Sequence, residues 1–116
     1  MLTKRQKEIA TKLLLLGVAP QNKGYAYALT AINLAIDDPT LTNSMCKGLY
    51  QEVSVIHKVD WRNVERCLRT AIKNAWETGH PEFWQQEFGR YPKKAAPTNA
   101  NFIAVLAQRI ILSQAE

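Results

Sequence analysis

VDWRNVERCLRTAIKNAWETG, residues 59–79, is cationic on one side and apolar on the other when wound as a helix. Arg62, Arg66, Arg69 and Lys73 follow one another at spacings of four, three and four residues. At roughly 100° per residue, they share about a quarter of the helix circumference. Trp61, Val64, Leu68, Ala71, Ile72 and Ala75 fall on the opposite side. Asp60 is a good N-cap, because its carboxylate can accept from the first free N–H groups. Gly79 suits the position just past the helix end. One face for a core and one cationic face is the form that enters a DNA groove. It is equally the form of a bundle helix with a solvated outer face, and the spacing alone leaves both readings open.

Outward from this stretch, the chain reads as helices throughout. A first helix is expected over 3–16, stopped by Gly17 and Pro20. A second follows Asn22 and runs to Ile36, ended by Asp37-Asp38-Pro39. Tyr25, Leu29, Ile32 and Ile36 form its core stripe, with Tyr27 off it. A third helical region is capped by Thr42 or Asn43 and reaches Ile56, with Gly48 dividing it. Leu49, Val53 and Ile56 are its buried side. His57-Lys58-Val59 is a turn. Beyond the long helix, Pro81 opens a short helix to Glu87. Residues 89–97 are a loop carrying Lys93-Lys94, and Thr98 or Asn99 caps a last helix. Phe102, Val105, Leu106 and Ile110 face the core from it. No segment alternates as a strand does, and no linker or repeat interrupts the chain. The expectation is a single all-α domain over 1–116, a bundle of about six helices.

Within that bundle, 49–56 and 60–78 are two helices joined by a few residues, the sequence shape of a helix–turn–helix over about 49–78. Arginines near the start of the second helix can pair bidentately with guanine O6 and N7. Glu65 can accept from cytosine N4, and Asn63 can read an adenine or hold a phosphate.

Composition narrows the alternatives. Hydrophobic residues make up 47% and charged residues 22%, enough for a folded core. Fifteen Lys and Arg against ten Asp and Glu give +5, which modestly favours an anionic partner. Cys46 and Cys67 read as reduced, partly buried thiols, and with His57 and His80 they form no zinc-ligand spacing. Lys4, Arg5 and Lys7 before Leu13–Leu16 faintly resemble a secretory signal. The helical spacing of Ile9, Leu13 and Leu16 and the stop at Gly17 favour a core helix, and no run approaches a membrane span. Ser44, Ser54 and Ser113 lack a nucleophile-elbow context, no Gly-rich phosphate loop occurs, and Cys67 with His57 is an unspecific pairing. No enzyme activity, cofactor or metal is expected. Trp61 and Trp76 read as core residues, whereas Trp84 is open between packing under the loop and a dimer surface.

A family resemblance adds to this reading. It is carried by Leu16-Gly17-Val18, Lys23-Gly24-Tyr25-x-Tyr27, Leu49-Tyr50 and Val64-Glu65-Arg66. Ala71-Ile72, Ala75-Trp76-x-x-Gly79 and Pro97-Thr98-Asn99-x-x-Phe102-Ile103-Ala104 continue it in order. The chain resembles the C-terminal DNA-binding effector domain of stage-zero sporulation protein A, the response regulator that starts endospore formation. The resemblance spans nearly the whole chain, with a shortening in the loop at 90–96. It implies a compact helical bundle with a helix–turn–helix, sequence-specific binding to duplex DNA in the cytoplasm, and transcription control. By the same resemblance, Glu65 and Arg66 read bases, with Arg69 one turn further as the third candidate. Arg62, Asn63, Lys73, Lys58 and Lys94 are the candidates for backbone contact or positioning.

The departures from the family pattern concern cations. Asn63 stands in place of an arginine, Thr70 of a histidine and Ala96 of a lysine. Val55 and Ile56 replace lysines, while Arg62 replaces a serine. Lower affinity or a different DNA site is the expected consequence. Usual family members also carry an N-terminal phosphoacceptor receiver. None is expected within this chain, which is then a stand-alone effector or an excised piece, not controlled by an aspartyl phosphate of its own. Candidate partners are duplex DNA, a second copy as homodimer or tandem dimer on DNA, RNA polymerase, and a full-length relative; no membrane is expected. Two other functions are carried alongside. One is a protein–protein module that pairs with or antagonises a full-length relative; the other is a non-specific architectural DNA binder.

Overall fold

A computed structural model describes residues 1–89 and 95–114. Six α-helices, and no strand, occur among these residues: α1 (Lys4–Leu16), α2 (Lys23–Asp37), α3 (Tyr50–His57), α4 (Trp61–Thr78), α5 (Pro81–Phe88) and α6 (Asn99–Ser113). The all-α bundle expected from sequence is therefore the fold. Local signals place most helix ends. Thr3 and Gln6 form a capping box at α1, and Gly17 closes it with φ 100°. Asn22 caps α2, Asp60 caps α4, and Thr98 rather than Asn99 caps α6.

The segment between α2 and α3 departs from expectation. Asp38 caps a 3-10 turn over Pro39–Asn43, and a π-helical turn over Met45–Leu49 leads directly into α3. Neither Thr42 nor Asn43 is the cap. The buried arc of α3 is centred on its Tyr50–Val53–Ser54 side, so the Leu49–Val53–Ile56 spacing carries Ile56 past its edge. Within α3 the inward residues are Tyr50, Val53 and Ser54, and Ile56 is 55% exposed. His57 turns inward instead; its Nε2 lies 2.8 Å from Thr30 Oγ1, and Tyr27 meets its ring edge-on.

α2 is the central helix and packs on α1, α3, α4 and α6. Its buried side is built on Gly24, Ala28, Ala31 and Ala35, with Tyr27, Ile32 and Ile36. Tyr27 is buried and Tyr25 only half-buried, the reverse of the sequence expectation. The stripe of large side chains misleads because close helix packing selects small residues at the crossing. On α6, Phe102, Leu106 and Ile110 are buried as expected, Ile103 and Ala107 join them, and Val105 sits at the margin.

Trp84 is fully buried and belongs to no surface. Its Nε1 donates to the Leu16 carbonyl at 3.1 Å, and its ring packs on Trp76, Phe88 and Phe102. That bond satisfies one of the carbonyls left free at the end of α1. Gly79 lies at the same spot. Its φ is −79°, so it does not serve by adopting a left-handed conformation as a helix-ending glycine commonly does. It is needed because a Cβ there would run into the Leu16 carbonyl and stand 2.5 Å from the Ala75 carbonyl.

Two substitutions test this packing. Gly79→Ala should lower the unfolding free energy by about 1–3 kcal/mol, through overpacking against backbone that cannot retreat. Ile56→Ser should change it by no more than about 0.5 kcal/mol, as befits an exposed position. Urea denaturation with unchanged m-values reads both.

Candidate nucleic-acid interface

The turn into α4 is fixed by its own backbone. Lys58 takes the left-handed conformation, φ 58° and ψ 47°, and both its N–H and that of Val59 close onto the Ser54 carbonyl. Asp60 then accepts the Arg62 N–H at 2.7 Å and starts α4. Three residues thus separate α3 from α4, and the two helices pack on each other.

α4 has the two faces read from sequence. Val64, Leu68, Ala71, Ile72, Ala75 and Trp76 are buried, and Trp61 is half-buried at the start. Arg62, Arg66, Arg69 and Lys73 are all exposed, with Thr70 and Asn74 among them. The helix is seated on α2 at Gly24, where a Cβ would stand 2.5 Å from Ala71 Cβ and 2.6 Å from the Cys67 carbonyl. Backbone-close packing there holds the buried side and turns the cations to solvent.

The exposed charges are largely arranged by their neighbours. Arg69 grips the Glu65 carboxylate with Nε at 3.1 Å and Nη2 at 3.4 Å. Glu65 is consequently only half-exposed. Arg62 reaches Asp60 Oδ2 at 3.4 Å and lies over the Trp61 ring, 5.2 Å from its centroid. Arg66 donates to Asn63 Oδ1 at 3.1 Å, and the same oxygen accepts from Cys67 Sγ at 3.2 Å. Asn63 is half-buried and serves as a bracket for Arg66. Exposed ion pairs of this kind are worth at most about 1 kcal/mol each and exchange readily for a phosphate or a base edge. Among the described residues, Arg66 and Lys73 are matched by no carboxylate. Lys58 is exposed at the turn, and Lys94 lies outside the described residues.

Trp61 joins α4 to α3 by stacking on Tyr50, with ring centroids 6.2 Å apart and planes 12° from parallel. Burial holds the Tyr50 phenol above the ordinary tyrosine value of 10.0; the nearby Glu65 carboxylate pushes the same way, against the Asn99 hydrogen bond and Arg69. Cys46 is exposed rather than partly buried; Cys67 is half-buried, bonded to Asn63, and not paired with His57, which turns to Thr30. Sequence reasoning did not single out Tyr50 and Asn99 as contributors to this surface. Their only sequence signals were the Leu49-Tyr50 and Pro97-Thr98-Asn99 matches.

The sequence pattern of the family described as sporulation initiation factor Spo0A C terminal matches residues 9–110. The chain belongs to this family, a family of DNA-binding effector domains of a sporulation regulator. It is a binding family rather than a catalytic one. No described helix is long and apolar enough to cross a membrane.

Because its folded-state pKa is raised, the neutral Tyr50 phenol contributes stability that is complete below pH 10 and lost as pH climbs through the raised value. Ultraviolet titration should show two tyrosines, Tyr50 and Tyr27, ionising later than free tyrosine. Tyr50→Phe should remove one of the two late ionisations, leaving that of Tyr27, and flatten part of the alkaline loss of stability.

Proposed function

We propose that this member of the family is a sequence-specific duplex-DNA-binding transcription regulator that lays α4 in the major groove. One observation carries the reading: Arg62, Arg66, Arg69 and Lys73 share the exposed face of a helix whose other face is packed into the core. In this reading Arg66, bracketed by Asn63, presents its guanidinium to a guanine edge. Glu65 keeps Arg69 while each carboxylate oxygen retains a lone pair for a cytosine amine, so the pair reads as a unit. Arg69 supplies the third base contact or a phosphate contact beside it. Arg62, Lys73, Lys58 and Lys94 neutralise phosphates and set the register along the groove. Asn63 in place of the family's arginine removes one cation from the reading surface, which supports a DNA site of its own for this chain. The protein acts on DNA in the cytoplasm, without a cofactor and without catalysis.

A second reading is supported by a separate observation. Val55 is 75% exposed and Ile56 55% exposed, side by side at the end of α3 next to the turn. An apolar step beside a DNA-reading helix is suited to protein contact. The partner in that reading is a second copy, a full-length relative or RNA polymerase.

Selection from random duplexes should enrich one motif, and a failure to enrich any would leave only non-specific binding. On the enriched duplex, Arg66→Ala should cost about 1–3 kcal/mol and relax preference at one base pair. Lys73→Ala should weaken all duplexes alike and reduce the slope of log affinity against log salt by about 0.9. Arg66→Ala binding both duplexes as the parent does would refute its reading role. Stable pairing with a full-length relative, with no DNA binding at low salt, would favour the second reading.

A further inference from the structure

Asn99 is the first residue of α6 and is buried to 8% relative exposure. Its Nδ2 donates to Tyr50 Oη at 2.9 Å and to the Glu65 carbonyl at 3.1 Å. A carbonyl only accepts, so the amide nitrogen must face Glu65, and the orientation of the side chain is fixed by chemistry. One NH2 group therefore ties the first residue of α3 to the second turn of α4 from a third helix. Asn99 is itself held: Thr98 caps α6 by accepting from Asn101 N–H at 3.1 Å, and its carbonyl accepts from Phe102 N–H at 2.9 Å.

The position of this tie matters more than its strength. Glu65 sits among Arg62, Arg66 and Arg69, and its carbonyl lies behind the segment that meets bases. The buried side chains flanking it on α4, Val64 and Leu68, make contacts that are apolar and non-directional. Apolar packing resists separation but tolerates small rolling and sliding of a helix. Two directional bonds from a largely buried amide resist both. Tyr50 carries the constraint to the start of α4 through its stack on Trp61.

We infer that Asn99 is a positioning residue for DNA reading, setting the roll and axial register of α4 so that Glu65 and Arg66 meet base edges together. The inference rests on the reading of α4 as the groove helix. Bidentate base contacts tolerate about 0.5 Å and 10–20° of misplacement, whereas phosphate contacts by long lysines and arginines tolerate far more. Loss of Asn99 therefore damages discrimination before it damages binding.

The test uses the duplex enriched by the parent chain and a random duplex of equal length. Asn99→Leu keeps the branched outline, with slightly greater bulk, and removes both N–H donors. It should reduce the ratio of specific to random affinity about tenfold or more. Its affinity for the random duplex, its salt slope and its helical circular dichroism should stay near those of the parent. Tyr50→Phe keeps the Asn99–Glu65 bond and should lower the ratio about threefold. An unchanged ratio in a folded Asn99→Leu overturns the proposal while leaving the reading of α4 intact. Equal losses on both duplexes overturn it too, because they make Asn99 merely structural. If Asn99→Leu fails to fold, Tyr50→Phe decides by the same ratio, and no change refutes the proposal. A parent that enriches no site removes the reading of α4 and the proposal with it.

Discussion

Everything on the outer face of α4 depends on how closely its inner face is seated. At Gly24 the α2 backbone comes against Cys67 and Ala71, and at Gly79 the end of α4 comes against the Leu16 carbonyl and Trp84. Neither contact has room for a methyl group. A helix held by backbone contact at its middle and its end keeps its buried side inward, with only small rolling left for directional bonds to set. The cationic arc is thereby fixed toward solvent by sterics, and its attraction for an anion does not have to be spent on orienting it.

On that fixed frame, a polar arrangement tunes the surface. Two of the four arginines and lysines on the arc hold carboxylates, and a third is bracketed by an uncharged amide. The free protein thus presents a muted positive face, in keeping with its modest +5. In the proposed DNA-reading role, selectivity rests on where the donors point more than on bulk charge, since phosphate attraction carries no sequence information. Asn63 is informative here. In the place of a cation it contributes orientation, because its one oxygen serves both Arg66 and Cys67.

Much of the architecture was legible because it rests on local rules. Thr3, Asn22, Asp60 and Thr98 cap helices by short-range hydrogen bonds that any sequence reader can place. The 3.6-residue period of α4 is strong enough to survive its surroundings, and both of its faces came out as read. The errors fall where local rules give way. The helices packed on α3 set its buried arc at Tyr50, Val53 and Ser54, which leaves Ile56 outside and turns His57 to Thr30, and spacing within α3 does not reveal this. On α2 the eye follows Tyr25 and Leu29, yet three or four helices crowd its alanines, and only their arrangement makes small residues the core. Trp84 looked free to join a surface because its partner, the Leu16 carbonyl, is 68 residues away in sequence.

By itself, the sequence determined the six α-helices of the described residues, the turn before α4, and the four cations that share its outer face. The motif matches also identified the family, since side-chain order along the chain is what family membership consists of. Only the tertiary structure decided which distant groups hold the helix that carries those cations. Glu65 gripping Arg69 is a near neighbour's work, an i,i+4 pair on one helix. Asn99 meeting Tyr50 and Glu65 spans 49 and 34 residues, separations at which sequence periodicity carries no information. Contacts of that kind exist only once three helices have closed around one buried amide, and burial is what makes its directionality count.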